Sequence, residues 1–351
     1  MPSFARSVSR LALVGLVCGL CAVAATAAPA ATLSLPDLVN RPDRWPTTVI
    51  LQREFKFTNG TVFHQGDKVR VVRFDGSRVL VAAPGNQLLA TTPVDCGLLD
   101  AANQAWAALT PEQRAVDPGS LALDPSLWPL RVVTTVSINC KFGKLPAGTE
   151  VGLLTVSKQG PDIAWPNSPN RVSLDFGSTD VVARARQLVL IDRDKRASRL
   201  APALQEIMVG ADGNPYHDDQ LGSKKIFALY FGASWCGPCR AFSPDFVKFL
   251  DAAMPRHPEL VAVLMSNDEQ PDQMLAYMKE EKMSFPAVPL KAWTQSSLLM
   301  GYAAEMIPQL VVVDRFGKVL ASNDDCHGNR GDPKDTIDAL GQLLTAPTTQ
   351  R

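Results

Sequence analysis

The chain has 351 residues, and its 35 basic and 35 acidic side chains give a formal net charge of zero. A chain of this length typically folds into two or three domains. Because the charges balance and no long basic run occurs, the composition argues against a basic surface that would bind nucleic acid.

The first stretch, residues 1–30, has the pattern of a signal peptide. Arg6 and Arg10 precede an apolar run, residues 11–25, that is too short for a comfortable membrane span. Mostly small residues follow at 26–30 and offer cleavage sites of the Ala-x-Ala type. We therefore expect an exported protein, periplasmic or extracellular, in a compartment where disulfides form. An uncleaved membrane anchor is the alternative.

The next stretch, residues 31–190, indicates a duplication. Its two halves share tryptophan, valine and glycine residues at matched spacings, which pair as Trp45 with Trp128, Val49 with Val132 and Gly60 with Gly143. An internal repeat of this kind usually means that one structural unit recurs. We place the first copy at 31–115 and the second copy at 116–190.

Each copy alternates apolar and polar residues between closely spaced turns, which predicts short strands. This pattern predicts two small, mostly β barrels, SH3-like in size. A helix is expected at the end of each copy, at 100–109 and 180–190, with Asp100 and Asp180 as N-caps. Residues 111–125, which are rich in proline, have the composition of a linker.

The sequences of the two copies indicate their function less clearly, since they show no paired carboxylates, no Ser/His arrangement and no metal-ligand cluster. We expect them either to bind a partner in the cell envelope or to act as spacers or a dimerisation scaffold. Residues 191–206 follow as a charged connecting helix that breaks near Pro202, and its charged face is expected to be solvated.

The C-terminal part, residues 207–347, is organised around Cys236 and Cys239. An apolar run at 226–231 predicts a buried strand, and a short turn leads from it into a helix. This order places Cys236 at the helix N-terminus, where unpaired N–H groups and the helix dipole favour a thiolate. Cys239 lies one turn further on, where it can attack a mixed disulfide.

A Cys-x-x-Cys pair has three common uses. Haem attachment requires a histidine directly after the second cysteine, and Arg240 stands there. Structural zinc requires a second pair of ligands, and no other Cys-x-x-Cys occurs after residue 30. The strand before the pair and the helix after it favour redox exchange, with zinc binding or an inert pair as alternatives. The chain also shows no flavin or nicotinamide fingerprint, so we expect neither a metal nor a bound cofactor.

Three separated elements resemble the tryparedoxin and nucleoredoxin branch of the thioredoxin fold. They are Tyr-Phe-x-Ala-Ser-Trp-Cys-x-Pro-Cys-Arg-x-Phe-Ser-Pro at 230–244, Phe-Pro-Ala-Val-Pro at 285–289 and Met-Ile-Pro-Gln-Leu-Val-Val-Val-Asp at 306–314. The resemblance implies a multidomain protein whose residues 207–347 form an α/β thioredoxin fold. Alternating strands and helices in this part agree with a central mixed sheet flanked by helices on both faces.

The resemblance also assigns roles around the cysteine pair. Pro308 is expected to be a cis-proline that faces the pair, so that the backbone of Ile307 can form strand-like pairs with a bound substrate. Trp235 is expected to flank and shield the nucleophile. Gly237 and Pro238, between the cysteines, are expected to contact the substrate.

Two positions depart from the patterns of related proteins. Gly237 stands where tryparedoxins usually have proline, which gives the Cys-Gly-Pro-Cys sequence of thioredoxin. Tyr230 stands where thioredoxin has a buried, proton-relaying aspartate, and tryparedoxin-like proteins also lack that aspartate. Another group must then handle the proton, and Asp268 and Glu269 are the candidates.

These features predict an exported thiol–disulfide oxidoreductase that reduces protein disulfides, with Cys236 as nucleophile and Cys239 as resolving thiol. The enzyme would be re-reduced by a membrane thiol relay or another thiol reductant. A thiol peroxidase is one alternative. The other is a binding protein in which the two copies do the work and the redox domain is passive.

Three further cysteines follow the predicted signal peptide. Cys96 and Cys140 could form a bridge, although the sequence does not fix their separation. Cys326 is next to His327, and the pair could be a ligand or a nucleophile. The turn-forming residues around it favour an ordinary surface turn.

Overall fold

A computed structural model describes residues 32–57, 60–83, 87–168, 170–324 and 330–346. The predicted signal peptide at 1–30 and the Cys326–His327 pair lie outside the described residues. Among the helices that are described, none is both long and apolar enough to cross a membrane.

The first copy consists of a four-stranded antiparallel sheet, a two-stranded ribbon and short helices. Its elements are α1 (Leu35–Leu38), β1 (Thr48–Ile50), β2 (Phe55–Lys56), β3 (Val62–Phe63), β4 (Lys68–Phe74), β5 (Val79–Ala82), β6 (Leu88–Thr91) and α2 (Leu98–Ala107). The sheet has the strand order β1-β4-β5-β6, and the ribbon pairs β2 with β3. Buried side chains recur along β4 between more exposed ones, so this sheet turns one apolar face inward.

The second copy repeats this order of elements. A short helix, α3 (Pro111–Ala115), connects the copies. The elements that follow are α4 (Pro118–Leu123), β7 (Arg131–Val133), β8 (Ile138–Cys140), β9 (Gly143–Leu145), β10 (Glu150–Val156), β11 (Pro161–Ala164), β12 (Arg171–Ser173) and α5 (Val181–Leu188). The sheet has the order β7-β10-β11-β12, and the ribbon pairs β8 with β9.

Side-chain contacts and strand register show that the duplication is structural. The indole Nε1 of Trp45 donates to the carbonyl oxygen of Leu38 at 2.7 Å, and that of Trp128 donates to Leu121 at 2.6 Å. The pairing of β4 with β5 and that of β10 with β11 each shift register directly after the fourth residue of the longer strand. The two copies therefore share their local irregularities as well as their order of elements.

Neither sheet closes into a barrel. In the described part of the chain, β1 and β6 are the edges of the first sheet, and β7 and β12 are the edges of the second. The apolar face of the first sheet packs against α2, where Val49, Val69 and Val81 share a core with Leu98 and Ala102. Because a helix already covers this face, the sheet does not have to close on itself to bury it. The prediction of two small barrels was therefore wrong, and what the structure shows is two small antiparallel sheets.

The helix ends also differ from the sequence-based expectations. Gly97, with φ 58°, is the N-cap of α2, and Asp100 lies in the first turn instead. Asp180 occupies the N-cap position of α5, but its side chain does not cap the helix. The stretch expected to be a linker contains α3 and α4, whose N-caps Thr110 and Asp117 accept backbone N–H groups. These caps stabilise two short helices despite the prolines.

Residues 191–206 form two short helical segments, so the predicted connecting helix is less extensive than expected. A 3-10 turn covers Arg193–Lys195, and α6 covers Leu200–Gln205. Pro202 lies in the first turn of α6, where a backbone N–H is not needed for the helix.

Arg199, directly before α6, joins the second copy to the C-terminal part. Its Nη1 donates to the carbonyl oxygen of Pro129 at 3.0 Å, and its Nη2 donates to those of Leu153 at 2.6 Å and Leu154 at 2.9 Å. The guanidinium also lies 5.5 Å from the ring centre of Trp128. Burial lowers the pKa of Arg199 to about 10. The side chain is therefore still charged at neutral pH and satisfies three carbonyl groups.

The C-terminal part is a five-stranded mixed sheet between helices. Its elements are β13 (Ile226–Gly232), α7 (Gly237–Ala253), β14 (Leu260–Ser266), α8 (Pro271–Glu280), β15 (Ala287–Val288), α9 (Leu290–Trp293), α10 (Ser297–Met300), β16 (Gln309–Asp314), β17 (Val319–Ser322) and α11 (Pro333–Thr345). The strand order is β15-β14-β13-β16-β17. Strands β13, β14 and β15 are parallel, and β16 and β17 pair antiparallel.

The central strand β13 is buried at all of its positions. Its even-numbered residues from 226 to 230 pack in one core with side chains of α7, α8 and α11. Its odd-numbered residues from 227 to 231 pack in a second core with side chains of α6, α9 and α10. Helices thus cover both faces, as expected for parallel strands, and the mixed sheet predicted for this part is confirmed.

Candidate active site

The cysteine pair lies where β13 ends and α7 begins. Cys236 is the N-cap of α7 and Cys239 lies in its first turn. The two residues form a disulfide with their Cα atoms 5.2 Å apart. The backbone N–H of Cys239 donates to Sγ of Cys236 at 3.1 Å. Because this N–H and the helix N-terminus both stabilise negative charge, the position favours a thiolate at Cys236 after reduction.

The two cysteines differ in their access to solvent. Cys236 is 5% exposed and Cys239 is fully buried. Around them Gly237 and Pro238 are exposed, and Trp235 is 65% exposed. Sγ of Cys236 is therefore the first of the two sulfurs that an incoming molecule can reach. The residues on either side of Cys236 are exposed.

The Pro308 loop meets the cysteine pair from a distant part of the chain. The Ile307–Pro308 peptide bond is cis. The carbonyl oxygen of Ile307 lies 3.9 Å from Sγ of Cys236, although 71 positions separate the two residues. Ile307 is half-buried and Pro308 is buried. The fold therefore brings together the two elements that the sequence placed at the site.

Two side chains that sequence reasoning missed hold the Pro308 loop. Arg330 Nη2 donates to the carbonyl oxygen of Pro308 at 2.8 Å, and Asn323 Nδ2 donates to it at 3.3 Å. The Oδ1 of Asn323 in turn accepts from the backbone N–H of Leu310 at 2.7 Å. No local pattern marks these residues, because they come from the chain after β17 and reach the loop only in the folded protein.

Asp268 fixes the turn that precedes the cysteines. Its Oδ1 accepts from the backbone N–H of Ser234 at 2.9 Å and from the Ser234 hydroxyl at 2.7 Å. Its Oδ2 accepts from the hydroxyl of Ser266 at 3.0 Å. Glu269, the other carboxylate considered for proton transfer, is exposed. Within the described residues, neither carboxylate hydrogen-bonds to a cysteine.

Three hydroxyl groups lie beneath Cys239, and we call them the hydroxyl cluster: Tyr230, Ser243 and Tyr277. The Tyr230 hydroxyl lies 3.0 Å from both other members, and Ser243 Oγ lies 2.6 Å from the Tyr277 hydroxyl. The carbonyl oxygen of Cys239 accepts from Ser243 at 2.9 Å and from Tyr230 at 3.3 Å. All three residues are fully buried. They anchor the first turn of α7 and therefore the resolving cysteine.

Burial determines the charge state of this region. Desolvation raises the pKa of Tyr230, and it also raises the pKa of Tyr277. Both phenols are therefore neutral hydrogen-bonding groups over the accessible pH range. Desolvation likewise raises the pKa of Glu281, which lies 3.9 Å from Arg240. The sequence marked only Tyr230 of this cluster as unusual. Its two hydrogen-bond partners, Ser243 in α7 and Tyr277 in α8, reach it only in the folded protein.

The other described cysteines are not part of this site. Cys96 and Cys140 are free thiols, so they do not form the bridge that the sequence left open. Burial raises the pKa of Cys96 to about 11. Among the described residues, no group of three or more His, Cys, Asp or Glu side chains is placed to hold a metal ion.

Comparison with known families agrees with the geometry of this part. Residues 223–319 match a family model described as thioredoxin-like. This part of the chain is a thioredoxin-like domain. It contains β13, the cysteine pair, α7 and the cis-proline, which are the elements that form the site.

The thioredoxin-like domain is similar to several known proteins. Probable nucleoredoxin 1 of Arabidopsis thaliana is 34% identical over 127 residues, which cover 36% of this chain and 21% of that protein. Sporulation thiol-disulfide oxidoreductase A of Bacillus subtilis is 29% identical over 127 residues, which cover 35% of this chain and 74% of that protein. The solved structure of tryparedoxin I from Leishmania major is 26% identical with a TM-score of 0.33, and the match covers 40% of this chain and 92% of that chain.

The match to nucleoredoxins is partial in length. This chain spans between 21% and 42% of the first three nucleoredoxins that it matches. What those proteins do as a whole therefore does not carry over directly to this chain.

Proposed function

We propose that this protein is a thiol–disulfide oxidoreductase that reduces disulfides in proteins. The observation that carries the proposal is the position of Cys236, which caps α7 and lies 3.9 Å from the carbonyl oxygen of Ile307. A cysteine at a helix N-terminus is a thiolate at lower pH than a free thiol, and the thiolate is the species that attacks disulfides.

The reaction follows from the difference in exposure between the two cysteines. The Cys236 thiolate attacks one sulfur of a substrate disulfide, an S–S bond forms, and the other substrate sulfur leaves as a thiolate that takes up a proton. The thiol of Cys239 gives its proton to solvent and attacks Sγ of Cys236, which breaks the mixed disulfide. The second substrate sulfur leaves as a thiolate and takes up a proton from solvent. Two electrons pass to the substrate, and the enzyme ends with the Cys236–Cys239 disulfide seen in the structure.

A protein substrate suits the surface around Cys236. Trp235 is 65% exposed and Met306 is 57% exposed, so each of the two chain segments at the site presents a large apolar side chain to solvent. The backbone of Ile307 lies beside Sγ of Cys236, and we propose that it pairs with an extended peptide of the substrate. Such backbone pairing would hold many sequences, because it does not depend on the substrate's side chains.

The oxidised enzyme needs an electron donor to continue. We infer that the protein is exported and that a membrane thiol relay or another thiol reductant restores the dithiol. The pattern of residues 1–30 supports export, and the Cys-Gly-Pro-Cys sequence supports a role as reductant.

The proposal is tested by insulin reduction with dithiothreitol as electron donor. The wild-type chain should reduce insulin, and Cys236→Ser should have no activity above the background rate of dithiothreitol. Cys239→Ser should accumulate a mixed disulfide between Cys236 and insulin, which non-reducing electrophoresis and mass spectrometry detect.

A matched control is Cys140→Ser, which removes a free thiol outside the site and should reduce insulin like the wild type. Full activity of Cys236→Ser would overturn the proposal. So would a trapped disulfide that maps to a cysteine other than Cys236.

A further inference from the structure

A cavity lies between the two N-terminal copies, far in sequence from the cysteine pair. Its volume is about 270 Å³, and its lining includes Arg44, Arg70, Arg186, Trp106 and Thr179. We call it the arginine cavity. This volume lies just below the range of about 300–1,000 Å³ that is typical of sites for drug-sized ligands, so the cavity suits a smaller group.

Arg70 is the least satisfied of the three arginines. Its side chain is half-buried, and its buried Nη1 has no hydrogen-bond partner in the part of the chain that the structure describes. Burial lowers the pKa of Arg70, and no carboxylate acts against that effect. At the same third position of the central strand, the second copy has Gly152 in β10. The fold of a copy therefore does not require an arginine here.

Arg44 and Arg186 are held in place beside Trp106. Their guanidinium carbons lie 5.7 Å and 5.6 Å from the ring centre of Trp106. Arg186 Nε donates to the carbonyl oxygen of Gln113 at 3.0 Å, and Arg44 lies 3.6 Å from a carboxylate oxygen of Asp37. The Nε of Arg44 is nevertheless buried, and no described residue hydrogen-bonds to it. Two of the three cations are thus oriented in advance by an aromatic ring.

The carboxylates in the lining do not hydrogen-bond to these arginines, although the charge of Asp43 acts on Arg186. Asp43 accepts two hydrogen bonds from Arg41, at 2.9 Å and 2.8 Å. Asp180 accepts from Arg184 Nε at 2.8 Å and from the backbone N–H of Val133 at 2.7 Å. Both acids are engaged with partners that are outside the cavity lining, so the lining keeps an excess of positive charge.

Thr179 adds a neutral hydrogen-bonding group to the cavity. It is 5% exposed, and its Oγ1 has no hydrogen-bond partner among the residues that are described. Buried polar groups are normally paired, and an unpaired one costs stability. The arginine cavity therefore combines three cations, a hydroxyl and several unused hydrogen-bonding atoms within one small volume.

We infer that the arginine cavity binds the phosphate group of a small ligand. Arginine presents several N–H donors in a planar fork that matches phosphate oxygens, and a phosphate has enough oxygens to serve more than one guanidinium. A hydroxyl such as that of Thr179 is a further donor to phosphate oxygen. This function is independent of the disulfide chemistry, because none of the cavity residues belongs to the cysteine site.

Inorganic phosphate is the first probe, with the full chain studied by calorimetry and thermal unfolding at constant ionic strength. The wild type should bind phosphate and unfold at a higher temperature in its presence. Arg70→Gln should bind about tenfold more weakly or worse, since it loses a charge-assisted contact. Without phosphate, Arg70→Gln should unfold at the same temperature as the wild type or higher, because among the described residues Nη1 of the guanidinium has no hydrogen-bond partner.

Arg78→Gln is the matched control, since it removes the same charge from an exposed arginine of the same copy. It should bind phosphate like the wild type. No binding of phosphate by the wild type at millimolar concentration would overturn the inference. So would equal weakening by both variants, or equal protection by acetate, because these results would show general charge screening or a carboxylate site.

Two further arms distinguish a soluble ligand from a lipid headgroup. Glycerol phosphate and vesicles of phosphatidylcholine with phosphatidic acid both carry a phosphate monoester. Binding of glycerol phosphate alone identifies a soluble ligand, and cosedimentation with the vesicles that Arg70→Gln abolishes identifies a headgroup. If neither probe depends on Arg70, the inference fails.

Discussion

The buried polar groups beneath Cys239 and those between the two copies differ in how fully they are satisfied. Each member of the hydroxyl cluster has at least two hydrogen-bond contacts. In the arginine cavity, Arg70 Nη1 and Thr179 Oγ1 have none within the described ranges. A buried polar group without a partner costs about 1–3 kcal/mol. The first region is therefore complete as folded, whereas the second has polar groups that a ligand could satisfy.

The largest expected effect comes from Arg199, which unlike Arg70 has three carbonyl partners. Arg199→Met should lower the free energy of unfolding by about 3–5 kcal/mol, because three buried acceptors lose a charged donor. Urea unfolding of the full chain measures this. A loss below about 1 kcal/mol would show that the three carbonyl partners of Arg199 add little to stability and do not set it apart from Arg70.

Cys96 shows through the pH dependence of stability how burial affects a single thiol. The pKa of Cys96 rises from 9.0 to about 11 on folding, so the folded state keeps a proton that the unfolded state loses. The free energy of unfolding should therefore be unaffected by Cys96 below pH 9 and should fall between pH 9 and 11, by up to about 3 kcal/mol. Cys96→Ala should show a shallower fall in urea unfolding over this range. An equal slope in both proteins would contradict a buried, neutral thiol.

A smaller effect is expected within the hydroxyl cluster. Tyr230→Phe removes one hydroxyl while the contact between Ser243 and Tyr277 remains, so the loss should be about 1–2 kcal/mol. Tyr216→Phe is the control, since the hydroxyl of this half-buried tyrosine makes no hydrogen bond to a described residue, and it should change stability by less than about 0.5 kcal/mol. Equal losses in urea unfolding would mean that the cluster contributes no specific stability.

The smallest effect is expected at Arg70. In phosphate-free buffer, Arg70→Gln should change the free energy of unfolding by less than about 0.5 kcal/mol or raise it. Comparison with Arg78→Gln in the same urea titration checks this. A loss of more than about 1 kcal/mol would show that Arg70 has a structural role after all.

The part of the fold that depends on local pattern was predictable from the sequence. The apolar run before Cys236 predicted a buried strand, and β13 and α7 lie where that pattern placed them. The matched spacing of Trp45 and Trp128 indicated the duplication. In the structure each of these tryptophans makes the same contact within its own copy. In these places the residues that determine the structure are close together in the chain.

The part that depends on distant contacts was not predictable. Alternating residues predicted strands in both copies, but they did not show whether a helix or barrel closure would cover the apolar face. Tyr230 was recognised as unusual, yet the sequence did not indicate that Ser243 and Tyr277 would meet it. Arg70 lies within an ordinary strand pattern, and only the packing of one copy against the other makes it part of a cavity.

The central claim is that the start of α7 favours a thiolate at Cys236. The most direct test is the rate of alkylation of the reduced protein by iodoacetamide as a function of pH, with the modified cysteine identified by mass spectrometry. The account predicts that Cys236 reacts first, with a midpoint clearly below the value of about 8.5 for a free thiol. A midpoint at or above that value, or faster modification of Cys239, would contradict it.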